Sequence, residues 1–308
     1  MRYCLVPKQY NAEICSTGYC VIRPDATITH PNYILHIISS KSFQDYVEQN
    51  QSGASYPSIT DNCIRDFIIP IPPMEVQERI VEILDKFTEL QAELQAELAL
   101  REKQYTYFRD QLLSFEMLNR GGYSLNDIKY LPLGEVATLQ RGRVISKVYL
   151  EENKGNYPVY SSQTVNNGEI GSINTFDFDQ EAITWTTDGA NAGTIFHRQG
   201  KFSITNVCGL ITIKDLSSLN YRFLFYWLGI VAKDYVYYGM GNPKLMSNQI
   251  AKVSIPIPPM EEQERIVGIL DRFETMVHSI KEGLPREIEL RRKQYEYFRD
   301  QLLTFPKD

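Results

Sequence analysis

Between residues 141 and 244 of this 308-residue chain, the side chains suited to gripping an anionic, hydrogen-bonding ligand fall into four clusters. "LQRGRVISK" supplies Arg141, Arg143 and Lys147, and "YPVYSSQTVNNG" supplies Tyr160, Ser161, Ser162 and Gln163. "WTTDGANAG" adds Thr186, Asp188 and Asn191, and "GMGNPK" adds Asn242 and Lys244. Arg and Lys neutralise phosphates or grip guanine edges, and Asn and Gln pair with adenine. Glycines nearby permit close backbone approach. Taken singly, each position reads as a solvated loop residue. Their concentration in polar, Gly-rich loops of one region makes them candidates as a set.

Bond-making chemistry finds no comparable pattern. The sequence contains no Gly-x-Gly-x-x-Gly after a strand, no Gly-x-x-x-x-Gly-Lys-Ser/Thr and no Gly-x-Ser-x-Gly. "HPNY" at 30–33 and "GNPK" at 241–244 resemble the Asn-Pro-Pro-Tyr signature of adenine methyltransferases only superficially, without a cofactor-binding glycine motif. The five cysteines, Cys4, Cys15, Cys20, Cys63 and Cys208, are irregularly spaced, with no Cys-x-x-Cys and no His at ligand distance. They read as reduced, mostly buried thiols, and neither a catalytic residue nor a metal is expected. The chain reads as a binding protein rather than an enzyme.

At 43% hydrophobic and 23% charged residues the composition is that of a soluble globular protein with room for two domains. The longest suggestive apolar run, "FLFYWLGIVA", is far too short to span a membrane. "MRYCLVPKQYNAE" lacks a signal-peptide pattern, so a cytoplasmic location is expected. The net charge of −6 is unevenly spread: residues 128–254 carry 12 Lys/Arg against 10 Asp/Glu, whereas 75–114 carry 5 against 9. A mildly basic segment thus lies between acidic ones.

The chain also repeats itself. "IPIPPMEVQERIVEILDKF" (69–87) recurs as "IPIPPMEEQERIVGILDRF" (255–273), and "REKQYTYFRDQLLSF" (101–115) recurs as "RRKQYEYFRDQLLTF" (291–305). Fainter similarity upstream pairs Asn32–Tyr33 with Asn220–Tyr221 and Pro57 with Pro243. The plan is variable region, helix, variable region, helix, with 1–68, 69–118, 119–254 and 255–308 as the four segments. The first variable region has no counterpart of roughly 128–186.

Local signals define the elements that must position the polar clusters. Pro70, Pro72 and Pro73 forbid helix before Met74, and the following acidic residues suit a helix N-terminus. Ile80, Ile83, Phe87, Leu90 and Leu94 recur at alternating spacings of three and four, a coiled-coil seam. "LQAELQAEL" stacks Leu90, Leu94 and Leu98 on one face in units of four, each unit adding about 6 Å of helix. "NRGGYS" is expected to end this helix, and Gly283 with Pro285 to interrupt its second copy. Tyr105, Tyr107, Tyr295 and Tyr297 suit seam packing or a partner interface, and Arg109–Asp110 and Arg299–Asp300 suit surface ion pairs. "EAITWTT" and "CGLITIK" read as strands, "NNGEIG" and "DGANAG" as turns, and "LNYRFLFYWLGIVAKDYV" as a buried helix. The fold class is α+β, with mixed domains alternating with long helices.

The twofold "IPIPPMEEQERIVGILDRF" and "EGLPREIELRRKQYEYFRDQLLTF" blocks, in this order, resemble the specificity subunit of type I restriction-modification systems over nearly the whole chain. The resemblance implies two target-recognition domains, the first incomplete, each reading half of a bipartite sequence in double-stranded DNA. It implies two helices paired as an antiparallel coiled coil, which space the domains and dock methyltransferase subunits; restriction subunits join through the complex. It casts "QAELQAEL" as a ruler and places S-adenosylmethionine and ATP on partner subunits, with no cofactor on this chain. The departure is at the N-terminus, where the sequence begins near the middle of a recognition domain. Either the allele is truncated, recombined or silent, or a second specificity chain completes the first domain. From another class comes the alternative of a coiled-coil scaffold whose mixed domains bind protein, which the acidic total favours.

Overall fold

The computed structural model describes residues 3–10, 13–53, 57–114, 118, 128–239, 241–279 and 283–305. The chain divides into two compact units: residues 1–102 with 275–308, and residues 103–274.

In the first unit, helices α1 (Pro31–Ser39), α2 (Lys41–Asn50) and α3 (Asp61–Arg65) precede the long helix α4 (Met74–Leu112), which contributes residues 74–102 here. Pro31 opens α1, and Ser40 and Thr60 cap α2 and α3 through bonds to the Phe43 and Cys63 amides. The core joins Tyr33 and Ile37 of α1 to Ile80, Val81 and Leu84 of α4, with Phe67 and Tyr295 against it. Ile83, expected in the seam, is instead 37% exposed. Packing on α1 selects the face carrying residues 80, 81 and 84, one position off the strict heptad pattern.

One buried amide holds the entry to α4. Gln77 Oε1 accepts from the His30 amide at 3.0 Å, while its Nε2 donates to the Ile28 and Pro72 carbonyls at 2.9 and 2.8 Å. Beside it, His36 Nε2 meets Asp85 at 2.8 Å and its Nδ1 meets the Tyr295 hydroxyl at 3.1 Å. Asn32 donates to the other Asp85 oxygen at 2.9 Å, and the buried Arg299 donates to the Ser39 carbonyl at 2.7 Å. Arg299 is thus no surface residue, although it also keeps its expected bond to Asp300. Burial pushes the His36 pKa below its ordinary value, with Asp85 opposing and Arg299 assisting.

The second unit starts with residues 103–112 of α4. The helix assignment stops at Leu112, and "NRGGYS" lies outside the described residues. Next come β1 (Lys129–Pro132), α5 (Leu133–Val136), β2 (Ala137–Arg141), α6 (Lys147–Glu152), β3 (Lys154–Tyr160), β4 (Glu169–Ile173), β5 (Phe178–Asp179), β6 (Ala182–Thr186), β7 (Ile195–Arg198), β8 (Lys201–Ile204) and β9 (Cys208–Ile213). Helix α7 (Tyr221–Val231), the short α8 (Ser247–Ile250) and β10 (Ser254–Ile257) lead into α9 (Met260–His278), which belongs to this unit through residue 274. Helix α10 (Leu284–Leu302) returns the chain to the first unit. The break between α9 and α10 falls at the expected Gly283–Pro285.

Among the described residues three sheets form, β1-β10, β2-β9-β6-β7 and β4-β3-β8-β5, all antiparallel except the β3/β8 pair. Strand β6 is buried along its whole length, as its apolar run predicts, and Trp185 at its centre is fully enclosed. Trp185 lies against Gly209 of β9, where a Cβ would collide with the indole. The repeat is visible in the contacts. Gln263 Oε1 accepts from the Asn220 amide at 2.9 Å and its Nε2 donates to the Ser218 and Pro258 carbonyls at 2.8 Å, as Gln77 does in the first unit. Asp271 replaces Asp85, but its partners are Arg222 and Tyr226, both at 2.6 Å, and Glu274 joins them. Burial, Asp271 and Glu274 hold the Tyr226 pKa far above normal; burial opposes but Glu274 and Asp271 raise that of Arg222.

The helical seams run antiparallel. In the first unit Phe87 stacks on Phe298 with centroids 5.5 Å apart, and Gln91 donates to the Arg291 carbonyl. In the second, Phe108 stacks on Phe273 at 5.4 Å. Tyr105 is buried and Tyr295 half-buried, whereas Tyr107 and Tyr297 are exposed. The cysteines depart from expectation: only Cys208 is buried, Cys63 is half-buried and the other three are exposed, all as free thiols. No described helix is long and apolar enough to cross a membrane.

Candidate nucleic-acid interface

Arg141 is the last residue of β2, Thr186 the last of β6 and Cys208 the first of β9; register pairs Arg141 with Gly209 and Thr186 with Cys208. The loops after β2 and β6 therefore leave from the same end of that sheet. Tyr160 and Ile204, the last residues of the parallel strands β3 and β8, pair at the end of the other sheet. The two ends are joined by residues 205–207. Thr205 donates its amide to the Tyr160 carbonyl at 2.9 Å and shares a 2.8 Å hydroxyl bond with Ser161, and Arg143 bridges to it. Gly142 packs where any Cβ would strike the Ile204 carbonyl, so only glycine lets β2 close on β8.

This junction gathers the candidates Arg141, Arg143, Ser161, Asp188 and Lys244. Arg141 donates Nε to the Asn206 carbonyl at 2.9 Å and Nη2 to the Thr187 hydroxyl at 2.9 Å, with Asp188 at 3.7 Å. Lys244 approaches Asp188 from the other side at 3.8 Å, and their backbones form a bridge. The 237–247 loop is held there by Trp185, whose indole donates to the Leu245 carbonyl at 2.9 Å, and by the Leu245 amide on the Thr187 carbonyl. One carboxylate thus stands between two cations at a partly exposed rim, a geometry in which it orients both without neutralising the pair. Arg143 meets Asp177 at 3.0 Å and lies 5.0 Å over the Tyr149 ring. Its burial works to lower the pKa, but Tyr149 and Asp177 prevail and raise it.

The remaining candidates are dispersed. Lys147 is exposed at the first turn of α6, whose N-cap is Ser146. Ser162 is half-buried and Asn242 exposed. Gln163 bonds the Glu169 carbonyl, and Asn191 reaches the Thr164 hydroxyl at 3.3 Å. Thr186 is fully buried, its hydroxyl donating to the Asn191 carbonyl, because β6 runs through the core; it shapes the 188–194 loop rather than facing a ligand. Tyr160 is half-buried, and burial raises its pKa.

Beneath Tyr160 lies a residue that the sequence gives no reason to single out. Arg198, at the end of β7, is 3% exposed and sits 3.6 Å from the Tyr160 ring centroid and 4.5 Å from that of Phe196. It donates to the Thr184 hydroxyl at 3.1 Å and to the Asn167 carbonyl at 2.8 Å, while its Nη1 has no partner. Burial lowers its pKa to about 10, so it remains charged at neutral pH. An Arg beside a turn signal looks solvated in sequence. Only the folded contacts place it inside.

Comparison with known proteins agrees with this architecture. The family model of the type I restriction modification DNA specificity domain matches residues 3–100 and 126–290. A type I specificity subunit of Mycoplasma pneumoniae is 38% identical over 253 residues, covering 82% of this chain and 92% of that protein. The EcoR124I/EcoR124II specificity subunit of Escherichia coli is 35% identical over 266 residues, 78% of this chain and 63% of its own length. Among solved structures, a chain from a study of type I restriction-modification assembly and conformational transition has a TM-score of 0.64 at 24% identity, covering 97% of this chain and 77% of that one. The M. genitalium type I S subunit gives 0.60 at 15% identity, covering 92% and 75%.

Proposed function

Because the chain belongs to the family of type I restriction-modification specificity subunits, we propose that it reads one half of a bipartite duplex target through the loop end of the second unit. The observation carrying this reading is the convergence of Arg141, Asp188 and Lys244 on one rim, with Arg143 on the neighbouring loop. Cations at such a rim contact phosphates or guanine edges, while the carboxylate limits purely non-specific attraction. Lys147, Ser161, Gln163, Asn191 and Asn242 extend the surface. Segments 1–68 and 119–254 act as the recognition domains, and 69–118 and 255–308 as the spacers.

The same reading makes the chain a non-catalytic subunit that docks methyltransferase subunits on its helices. Supporting this, each helical copy carries the same exposed aromatic pair, Tyr107 with Phe108 and Tyr297 with Phe298. Two equivalent patches suit two copies of one partner. S-adenosylmethionine, ATP and restriction subunits enter through those partners.

The experiment is duplex binding by the methyltransferase-assembled chain across a salt series. Arg141→Ala and Lys244→Ala should each weaken binding and reduce the slope of log K against log salt by about one. Unchanged affinity and slope in both variants would remove the second-unit rim from the interface.

A further inference from the structure

The hairpin between β3 and β4 carries a feature that the rim residues leave unused. Asn166 and Asn167 are the only non-glycine residues with positive φ among those described, at 51° and 54°, and Gly168 follows at 81°. Two consecutive left-handed residues ahead of a glycine make a tight turn of the type I′ kind at the hairpin's tip. Both asparagines are exposed, and Val165 beside them is 76% exposed. Asn tolerates this backbone better than other side chains, so the turn alone explains its presence at either position. It does not explain what lies below. Arg198 is buried with an unpartnered Nη1, clamped between Tyr160 and Phe196, and it holds the Asn167 carbonyl. A hairpin of this length closes without a buried guanidinium, which costs desolvation and here leaves a donor unmatched. Gln163 and Asn191 brace the same loop through the Glu169 carbonyl and the Thr164 hydroxyl. The tip is thereby fixed from several sides, while its two amides remain presented to solvent.

We propose that Asn166 and Asn167 form a base-reading tip that pairs with the N6/N7 edge of an adenine in the major groove, with Arg198 as the residue that positions it. The inference rests on the second unit being the DNA reader. A side-chain amide offers one donor and one acceptor, matching the adenine edge bidentately. Rigidity is what gives such a pair discrimination, since a mobile amide adapts to other bases. The charge of Arg198 beneath the tip adds a positive potential towards the phosphates without itself reaching a base.

The test determines the modified motif in cells expressing the full chain with its methyltransferase subunits. The double variant Asn166→Gly/Asn167→Gly keeps the left-handed turn but removes both amides. It should lose discrimination by about tenfold or more at one A·T position of the second unit's half-site, every other position being retained. Arg198→Lys should relax the same position, because Lys keeps the charge but cannot hold both Thr184 and Asn167; a purely structural role would lower the melting temperature and leave the motif intact. Asn166→Asp or Asn167→Asp, which accepts but does not donate, should move preference at that position towards cytosine. Arg141→Ala serves as the control. If it alters or weakens motif recognition while the double glycine variant modifies the native motif unchanged, the tip proposal falls and the rim reading stands. If neither changes the motif, both fall.

Discussion

In the first unit Gln77 and Asp85 of α4 hold α1 through His36, Asn32 and Tyr295, whereas in the second Gln263 and Asp271 of α9 hold α7 through Arg222 and Tyr226. The glutamine clamp is the same to within a tenth of an ångström in its three hydrogen bonds. Around it the chemistry differs. One copy uses a buried imidazole that can lose its charge, the other a permanently charged guanidinium between two carboxylates. The duplicated helix therefore keeps the contact that sets the helix entry and varies the contacts that fix its neighbour. A second contrast concerns what each clamp carries. By the offset that pairs Asn32 with Asn220, Cys20 corresponds to Cys208; Cys208 opens the central strand β9 and is buried, while Cys20 is exposed and belongs to no described strand. Tyr19, Val21 and Ile22 around it are exposed as well. Edge-free burial of that segment requires strands equivalent to β2 and β6, which the first unit does not form among its described residues.

The largest expected effect breaks what the two units share. Gln77→Ala and Gln263→Ala each leave one amide N–H and two carbonyls, partly shielded from solvent, without the buried side chain that pairs them, at about 2–3 kcal/mol. Local hydrogen exchange should show α1 opening in the first variant and α7 in the second. Comparable loss in both supports a common clamp, and loss in only one limits it to that unit.

The next effect separates the clamps. Arg222→Met removes the cation between Asp271 and Glu274 and should destabilise the second unit by about 1–2 kcal/mol, because two partly solvent-screened carboxylates then face each other. His36→Gln should cost the first unit about 1 kcal/mol at pH 7.5, since Gln retains one hydrogen bond. The pH dependence distinguishes them further. The His36 pKa is lower in the folded state than unfolded, so the unfolded chain takes the proton first as pH falls. Stability of α1 is then complete above about pH 6.5 and declines on acidification through the depressed folded value. Asp85, Tyr295 and Arg299 are the groups facing His36. Hydrogen exchange of α1 between pH 7.5 and 5, corrected for intrinsic rates, should show this loss, and His36→Gln should remove it. Arg222 and Tyr226 both titrate above their ordinary values, so this pair adds no such dependence to α7.

A smaller effect concerns the rim. Asp188→Asn frees Arg141 and Lys244 from their shared carboxylate and should raise affinity for unrelated duplexes several-fold while steepening the salt slope. Binding of a mixed-sequence duplex checks this; unchanged or weaker binding would mean that Asp188 does not restrain the cations.

Much of the framework was legible because it depends on local chemistry. The prolines at 70, 72 and 73 place the start of α4, and Gly283 with Pro285 separates α9 from α10. The branched and aromatic run 182–186 became a fully buried strand. Ile83 and the cysteines went astray because burial depends on which element packs against a face, which periodicity does not encode. Likewise Gln77 and Gln263 sit in the repeated block like surface polar residues, yet both are buried. Arg141, Asp188 and Lys244 stand in three separate sequence clusters, and their meeting is long-range information. Thr186 and Arg198 show the limit most clearly: side-chain type suggests solvent, and strand position puts each inside.

The central claim is a division of labour in which the loop rim reads bases and the helices set distance. It is tested most directly by inserting one Gln-Ala-Glu-Leu unit after Leu98 and determining the modified motif, with the same methyltransferase subunits and with a complete first domain where activity needs one. Four residues add about 6 Å of helix, and DNA rises about 3.4 Å per base pair. The account predicts unchanged half-site bases separated by one or two additional base pairs. Altered half-site bases at constant spacing, or full activity with neither changed, would contradict it.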